Sequence, residues 1–89
     1  MTETLYLVSG LDCNEWDDDS WGICFYRNKA DADKHVELAE RLSDLVRQRH
    51  VGQQSPYDTH FVPAGALRAY IVEAIDVHET VPEFPEPLQ

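Results

Sequence analysis

The stretch Glu15-Trp16-Asp17-Asp18-Asp19-Ser20-Trp21 places three consecutive carboxylates between two tryptophans, in a segment with no basic residue to neutralise them. Burying one unpaired carboxylate is costly, and burying several together is prohibitive, so this stretch belongs at the surface. It lies between two apolar runs. Thr4-Leu5-Tyr6-Leu7-Val8-Ser9, ended by Gly10, has the β-branched, aromatic and aliphatic composition of a buried strand. Trp21-Gly22-Ile23-Cys24-Phe25-Tyr26 sets Trp21, Ile23 and Phe25 against Gly22, Cys24 and Tyr26, the two-residue period of a second strand. A solvated acidic segment joining two such strands predicts a hairpin with the Trp-flanked loop projecting as its tip.

A helix follows. Asn28 suits its N-cap, with Asp31 at the acidic position of a capping box and in the turn where the helix dipole favours negative charge. Ala32, Val36, Ala39, Leu42, Leu45 and Val46 fall on one stripe with Leu38 beside it, while Asp33, Lys34, Glu37, Glu40, Arg41 and Asp44 lie away from it. Arg47, Arg49 and His50 suit the C-terminal end, and Gly52 is placed to stop the helix. His35, next to the stripe, reads as a boundary residue.

Residues 51–65 carry Gly52, Pro56, Pro63 and Gly65 and read as a loop, ordered by Tyr57, Phe61 and Val62. Residues 66–77 fit two periods. Leu67, Tyr70, Ile71, Ala74 and Ile75 have helical spacing, which would make a ββαα chain, yet Tyr70, Ile71, Val72, Ile75 and Val77 are strand formers and the segment also alternates. The segment is expected to be a strand. Right-handed crossover through the helix places this third strand beside the first. The expected fold class is therefore α+β: a small three-stranded antiparallel sheet (ββαβ, order 2-1-3) packed against one amphipathic helix, with the other sheet face partly open. Residues 1–79 are expected to form one domain. Residues 80–89, with Pro82, Pro85 and Pro87 among glutamates, form an extended or disordered tail.

At 89 residues the chain buries only roughly 60% of its unfolded surface, which leaves little room for a deep cleft. Its 17 acids against 7 bases leave a formal charge of -10. Such a field repels nucleic acid and anionic membrane and accelerates encounter with basic surfaces. The excess is uneven. Residues 1–20 hold six acids and no base, residues 21–54 five acids and six bases, and residues 55–89 six acids and one base. If the first and last of these regions are neighbours, one side of the molecule is strongly negative. Two cysteines make no disulfide framework, and no signal peptide or bilayer-spanning run is apparent, which points to a cytoplasmic protein.

Catalytic and metal motifs are not recognisable. Asp12, Asn14 and Asp18 stand at alternate positions like calcium-loop ligands, but Trp16 occupies a ligand position, Asp17 stands where the turn requires glycine, and Ile23 stands where a bidentate glutamate belongs. Cys13, Cys24, His35, His50, His60 and His78 lack zinc spacing. Cys24 reads as a small core residue, Cys13 as a poor nucleophile in acidic surroundings, and Tyr57-Asp58-Thr59-His60 matches no nucleophile or phosphate-loop motif. No cofactor, metal or enzymatic activity is expected.

A strongly acidic chain below a hundred residues, without a catalytic motif and with a strand-strand-helix-strand pattern, is similar to the small phage-encoded inhibitors of bacterial defence, of which the anti-CRISPR proteins are the best-known group. The resemblance is one of size, charge and style over the whole chain. Those inhibitors share no sequence motif, so no residue role is carried over from them. It implies a non-enzymatic protein of the host cytoplasm that occupies a basic nucleic-acid-binding surface on a CRISPR-Cas or other defence nuclease complex, or jams a subunit of such a complex through aromatic and acidic contacts, without binding nucleic acid or membrane itself. On this reading Asp12, Glu15, Asp17, Asp18 and Asp19 supply charge and Trp16 an apolar anchor, while Trp21 belongs to the core. The plain alternative is a solvated loop on a small assembly module that homodimerises through its open sheet face.

Overall fold

The computed structural model describes residues 3–13, 18–81 and 83–85, and of Asp18 the backbone alone. Strands β1 (Glu3–Cys13) and β2 (Asp18–Tyr26) precede helix α1 (Lys29–Arg49) and strand β3 (Arg68–Val77). The sheet has the order β2-β1-β3, and β1 runs antiparallel to both neighbours. This is the α+β arrangement expected from the residue pattern, and of residues 66–77 the span Arg68–Val77 is a strand rather than the rival helix, with Ala66 and Leu67 outside it. No described helix is long and apolar enough to cross a membrane.

The hairpin strands run further than their apolar runs. β1 continues past Gly10 to Cys13, and β2 begins at Asp18 rather than Trp21. The extension comes from pairing on both sides of β1. Asp12 lies opposite Asp19 on β2 and Arg68 on β3, and the Cys13 amide donates to the Leu67 carbonyl at 2.9 Å. Ladder hydrogen bonds from two neighbours thus carry a strand through residues with poor strand propensity.

A β-bulge lies at the centre of β2. Val8 pairs with Cys24 but Ser9 pairs with Gly22, so Ile23 is an extra residue. An inserted residue reverses which face the following side chains meet. Trp21 is therefore carried to the face of Cys24 and Tyr26 instead of that of Phe25, which corrects the simple alternation read from the sequence. One sheet face now holds the rows Asp19–Asp12–Arg68, Trp21–Gly10–Tyr70, Cys24–Val8–Val72 and Tyr26–Tyr6–Ala74. The opposite face holds Leu5, Leu7, Ser9 and Leu11 of β1, Ser20, Gly22 and Phe25 of β2, and Ala69, Ile71, Glu73, Ile75 and Val77 of β3.

Helix α1 covers the first of these faces and packs chiefly against β3. Asn28 caps it, accepting from the Ala30 amide at 2.8 Å, and Asp31 lies in the first turn. Its buried positions are Ala32, His35, Ala39, Ser43 and Val46, a row of mostly small side chains that brings the helix close to the sheet, with Val36, Leu38, Leu42 and Leu45 half-buried beside it. His35 is buried and not at the boundary. The helix ends at His50, two residues before the expected stop at Gly52, and the φ of 56° at His50 is left-handed. Gly52 has another role: a Cβ there would stand 2.8 Å from the Phe61 ring.

The segment between α1 and β3 is ordered. Gln53 and Val62 form an isolated antiparallel bridge with hydrogen bonds of 2.9 and 3.0 Å, and Val62, Val46 and Ala66 form a buried cluster that fixes the loop to the end of α1. Phe61, in contrast, is exposed. Beyond β3, the described tail residues 78–81 and 83–85 form neither helix nor strand.

Candidate functional site

The β1–β2 hairpin carries Asp12, Asp18 and Asp19 of the acidic residues singled out in the sequence. Asp12 and Asp19 are directly opposite one another, and Asp18 follows opposite Cys13. Like charges in opposed positions destabilise a strand pair, so the hairpin holds these carboxylates together at an energetic cost. The ion pairs among the described residues are Arg27–Glu3, Lys29–Asp33, Arg47–Asp44 and Arg68–Asp58, and they leave Asp12 and Asp19 without a cation. Glu15, Trp16 and Asp17 lie outside the described residues, as does the side chain of Asp18. Asp18 and Asp19 are strand residues and not part of a long loop.

Arg68 shares a row with Asp12 and Asp19, but its charge is committed elsewhere. Its Nη1 donates to Asp58 Oδ2 at 2.8 Å and its Nη2 to the Phe61 carbonyl at 2.9 Å. Asp58 is the hub of the loop. Its Oδ1 accepts from Trp21 Nε1 at 2.7 Å and from the His60 amide at 3.0 Å, and its Oδ2 accepts from Tyr70 Oη at 2.7 Å as well as from Arg68. The Asp58 and Arg68 side chains are 0% and 6% exposed. Burial pushes the Asp58 carboxyl up, but the His60 amide, the Tyr70 hydroxyl, the Trp21 indole and the Arg68 charge outweigh it and hold Asp58 below the ordinary aspartate value. Burial, then the hydrogen bond and charge of Asp58, push the Tyr70 hydroxyl well above its ordinary value. Four donors on one ionised carboxylate leave it saturated. It braces the structure and has no lone pair left for a substrate.

Trp21 is positioned by this hub. Its ring lies directly over Gly10, where a Cβ would meet it at 2.8 Å, and it stacks on His60 with centroids 4.2 Å apart while the Arg68 guanidinium lies 4.7 Å from the ring centroid. The indole is half-buried and not the core residue expected from the sequence, because it packs between Gly10, His60 and Arg68 beside the loop. Its hydrogen bond ties β2 to the loop just beyond the acidic arm.

A second polar cluster surrounds His35. Its Nε2 donates to the Tyr57 carbonyl, which can only accept, at 2.7 Å, and Nδ1 and Tyr26 Oη are hydrogen-bonded at 2.8 Å, with Nδ1 the acceptor in the neutral imidazole. Cys24 Sγ stands 3.8 Å from the same Nδ1. Cys24 therefore lies half-buried beside a polar group and is not a plain core residue. Every contact of His35 is local support between β2, α1 and the loop. Cys13 is exposed, and among the described residues no group of three His, Cys, Asp or Glu side chains could hold a metal ion.

The Asp58 hub was not visible in the sequence. Its turn had a local signal, since an aspartate accepting from the amide two residues on is a familiar turn device. Its remaining partners are 10, 12 and 37 residues away, and only the bulge in β2 makes Trp21 one of them. No protein-family model, curated protein or solved structure matches this chain.

Proposed function

We propose that this protein is a non-enzymatic, cytoplasmic inhibitor that uses its acidic hairpin end to occupy a basic, nucleic-acid-binding surface on a larger protein, as an anti-CRISPR protein acting on a CRISPR-Cas effector complex. The observation that supports this most is the opposed pair Asp12 and Asp19 without a cation among the described residues, on an arm leading to Glu15, Trp16 and Asp17. A strand pair that keeps like charges opposed loses stability, and a basic partner recovers it by neutralising both. The Trp21–Asp58–Arg68 brace ties β2 and β3 to the loop beside Asp12 and Asp19, so these two residues sit on a preorganised support that the partner need not order.

Phosphate oxygens and clustered carboxylates are read by the same Arg and Lys side chains. The reading is tested by capturing the partner from bacterial lysate at low salt on immobilised protein and then adding double-stranded DNA or RNA. Release of the partner by nucleic acid and by salt is the expected result, while a partner retained through both would exclude competition for a nucleic-acid site.

A further inference from the structure

We infer that the open face of the sheet is a second contact surface, one that takes a protein surface of apolar side chains bordered by Lys or Arg. Antiparallel sheets with one free face usually turn polar side chains to solvent. Here the outward positions hold Leu5, Leu7, Leu11, Phe25, Ile71 and Ile75, with Phe25 55%, Ile71 37% and Ile75 36% exposed. They are spread over all three strands, with Ser9, Gly22 and Glu73 interspersed, and apolar side chains exposed together on one face are the kind of surface that marks interaction sites.

Charge selects the occupant. Glu73, opposite Leu7, is the one charged side chain within the described face, and at its margin Glu3 is paired with Arg27 at 3.4 Å. The remaining bases lie on or after α1 or, as Arg68, are bound to Asp58. A second copy of this chain would bring two charges of -10 together and cover Glu73 with a surface as acidic as its own. The tail is a poor cover for the same reason, since Glu79, Glu83 and Glu86 surround its apolar residues, and Val81 and Phe84 are 91% and 85% exposed. A partner with a basic border offsets Glu73 and buries the apolar area. This rests on the reading that the chain binds basic proteins and adds where the apolar part of that contact is made.

The probes are two synthetic amphipathic helices, one of Leu and Lys and one of Leu and Glu, titrated into the isotope-labelled full chain while backbone amide shifts are followed. The Leu/Lys helix should shift the amides of Leu5, Leu7, Phe25, Ile71 and Ile75, the Leu/Glu helix should bind at least about tenfold more weakly, and Glu73→Lys should weaken the Leu/Lys helix by about fivefold. Shifts confined to Asp12, Asp19 and the hairpin end would overturn the sheet-face inference and leave the acidic-arm reading standing. No binding at all would overturn both. Concentration-dependent sheet shifts without peptide, together with a dimer mass in sedimentation, would assign the face to a second copy instead. Shifts of the same amides on deleting residues 80–89 would assign it to the tail.

Discussion

Trp21 donates its indole hydrogen to Asp58 across 2.7 Å, joining the middle of the hairpin to a loop 37 residues further along the chain. The contact exists because β2 contains one extra residue. Without the bulge at Ile23, Trp21 would point to the open face with Phe25, and Asp58 would lose one of its four donors. Trp21→Phe should keep the ring against Gly10 and His60 but remove the donor, costing about 1 to 3 kcal/mol, whereas Trp21→Ala also removes the ring and should cost about 3 to 5 kcal/mol. Urea melts of the two variants check the order. Equal losses would mean that the indole hydrogen bond contributes nothing.

Gly10 gives a separate test of the same contact. Its backbone is not left-handed, so alanine brings no conformational strain, but the added Cβ would sit 2.8 Å from the Trp21 ring. Gly10→Ala should displace the ring and destabilise the fold by about 1 to 3 kcal/mol, as overpacking does elsewhere. An unchanged melting temperature would show that the ring is free to move.

Asp58 should give the protein a characteristic acid limb. Asparagine offers one acceptor oxygen where Asp58 offers two, and it leaves the Arg68 charge buried without its counterion, so Asp58→Asn should cost about 3 to 5 kcal/mol at neutral pH. The folded carboxyl titrates below the ordinary value. Its stabilisation is therefore complete above the unfolded aspartate value of about 3.9 and is lost as pH falls from there through the folded value. The gap between wild type and Asp58→Asn, measured by denaturant melts from pH 7 downward, should stay constant to about pH 5 and then narrow. A gap that widened with acid would reverse the sign of the shift.

Much of this architecture was legible in the sequence because its signals are local. Helix α1 shows its cap at Asn28 and its periodicity, and the strand content of Tyr70, Ile71, Val72, Ile75 and Val77 prevailed over a competing helical spacing once β1 was available to pair with it. The hairpin ends were harder. Residues 10–13 and 18–20 are poor strand formers by composition and belong to strands through β3 and through the Cys13–Leu67 hydrogen bond. The bulge and the burial of His35 depend on tertiary contacts that no short window encodes, while the left-handed end at His50 has no glycine to announce it. Of the site residues, Asp12 and Asp19 were brought together as an opposed pair, while Glu15, Trp16 and Asp17 lie outside the described residues.

The opposed carboxylates should lower the stability of the free protein. Asp19→Asn removes the repulsion with Asp12 without changing shape, and should leave the melting temperature unchanged or raise it, with a gain that shrinks as salt is added. A clear loss of stability at low salt would indicate that Asp19 has a structural partner.

The acidic arm is proposed to bind the basic, nucleic-acid-binding surface of a partner. The most direct measurement is the dissociation constant of the lysate-captured partner for the wild-type chain and for a variant with Asp12, Asp17, Asp18 and Asp19 each replaced by Asn, at low and high salt. The wild type should bind at least about tenfold more tightly at low salt, lose that advantage as salt rises, and displace nucleic acid from the partner. Equal affinity of the two proteins at low salt, with the fold of the variant intact, would contradict the claim.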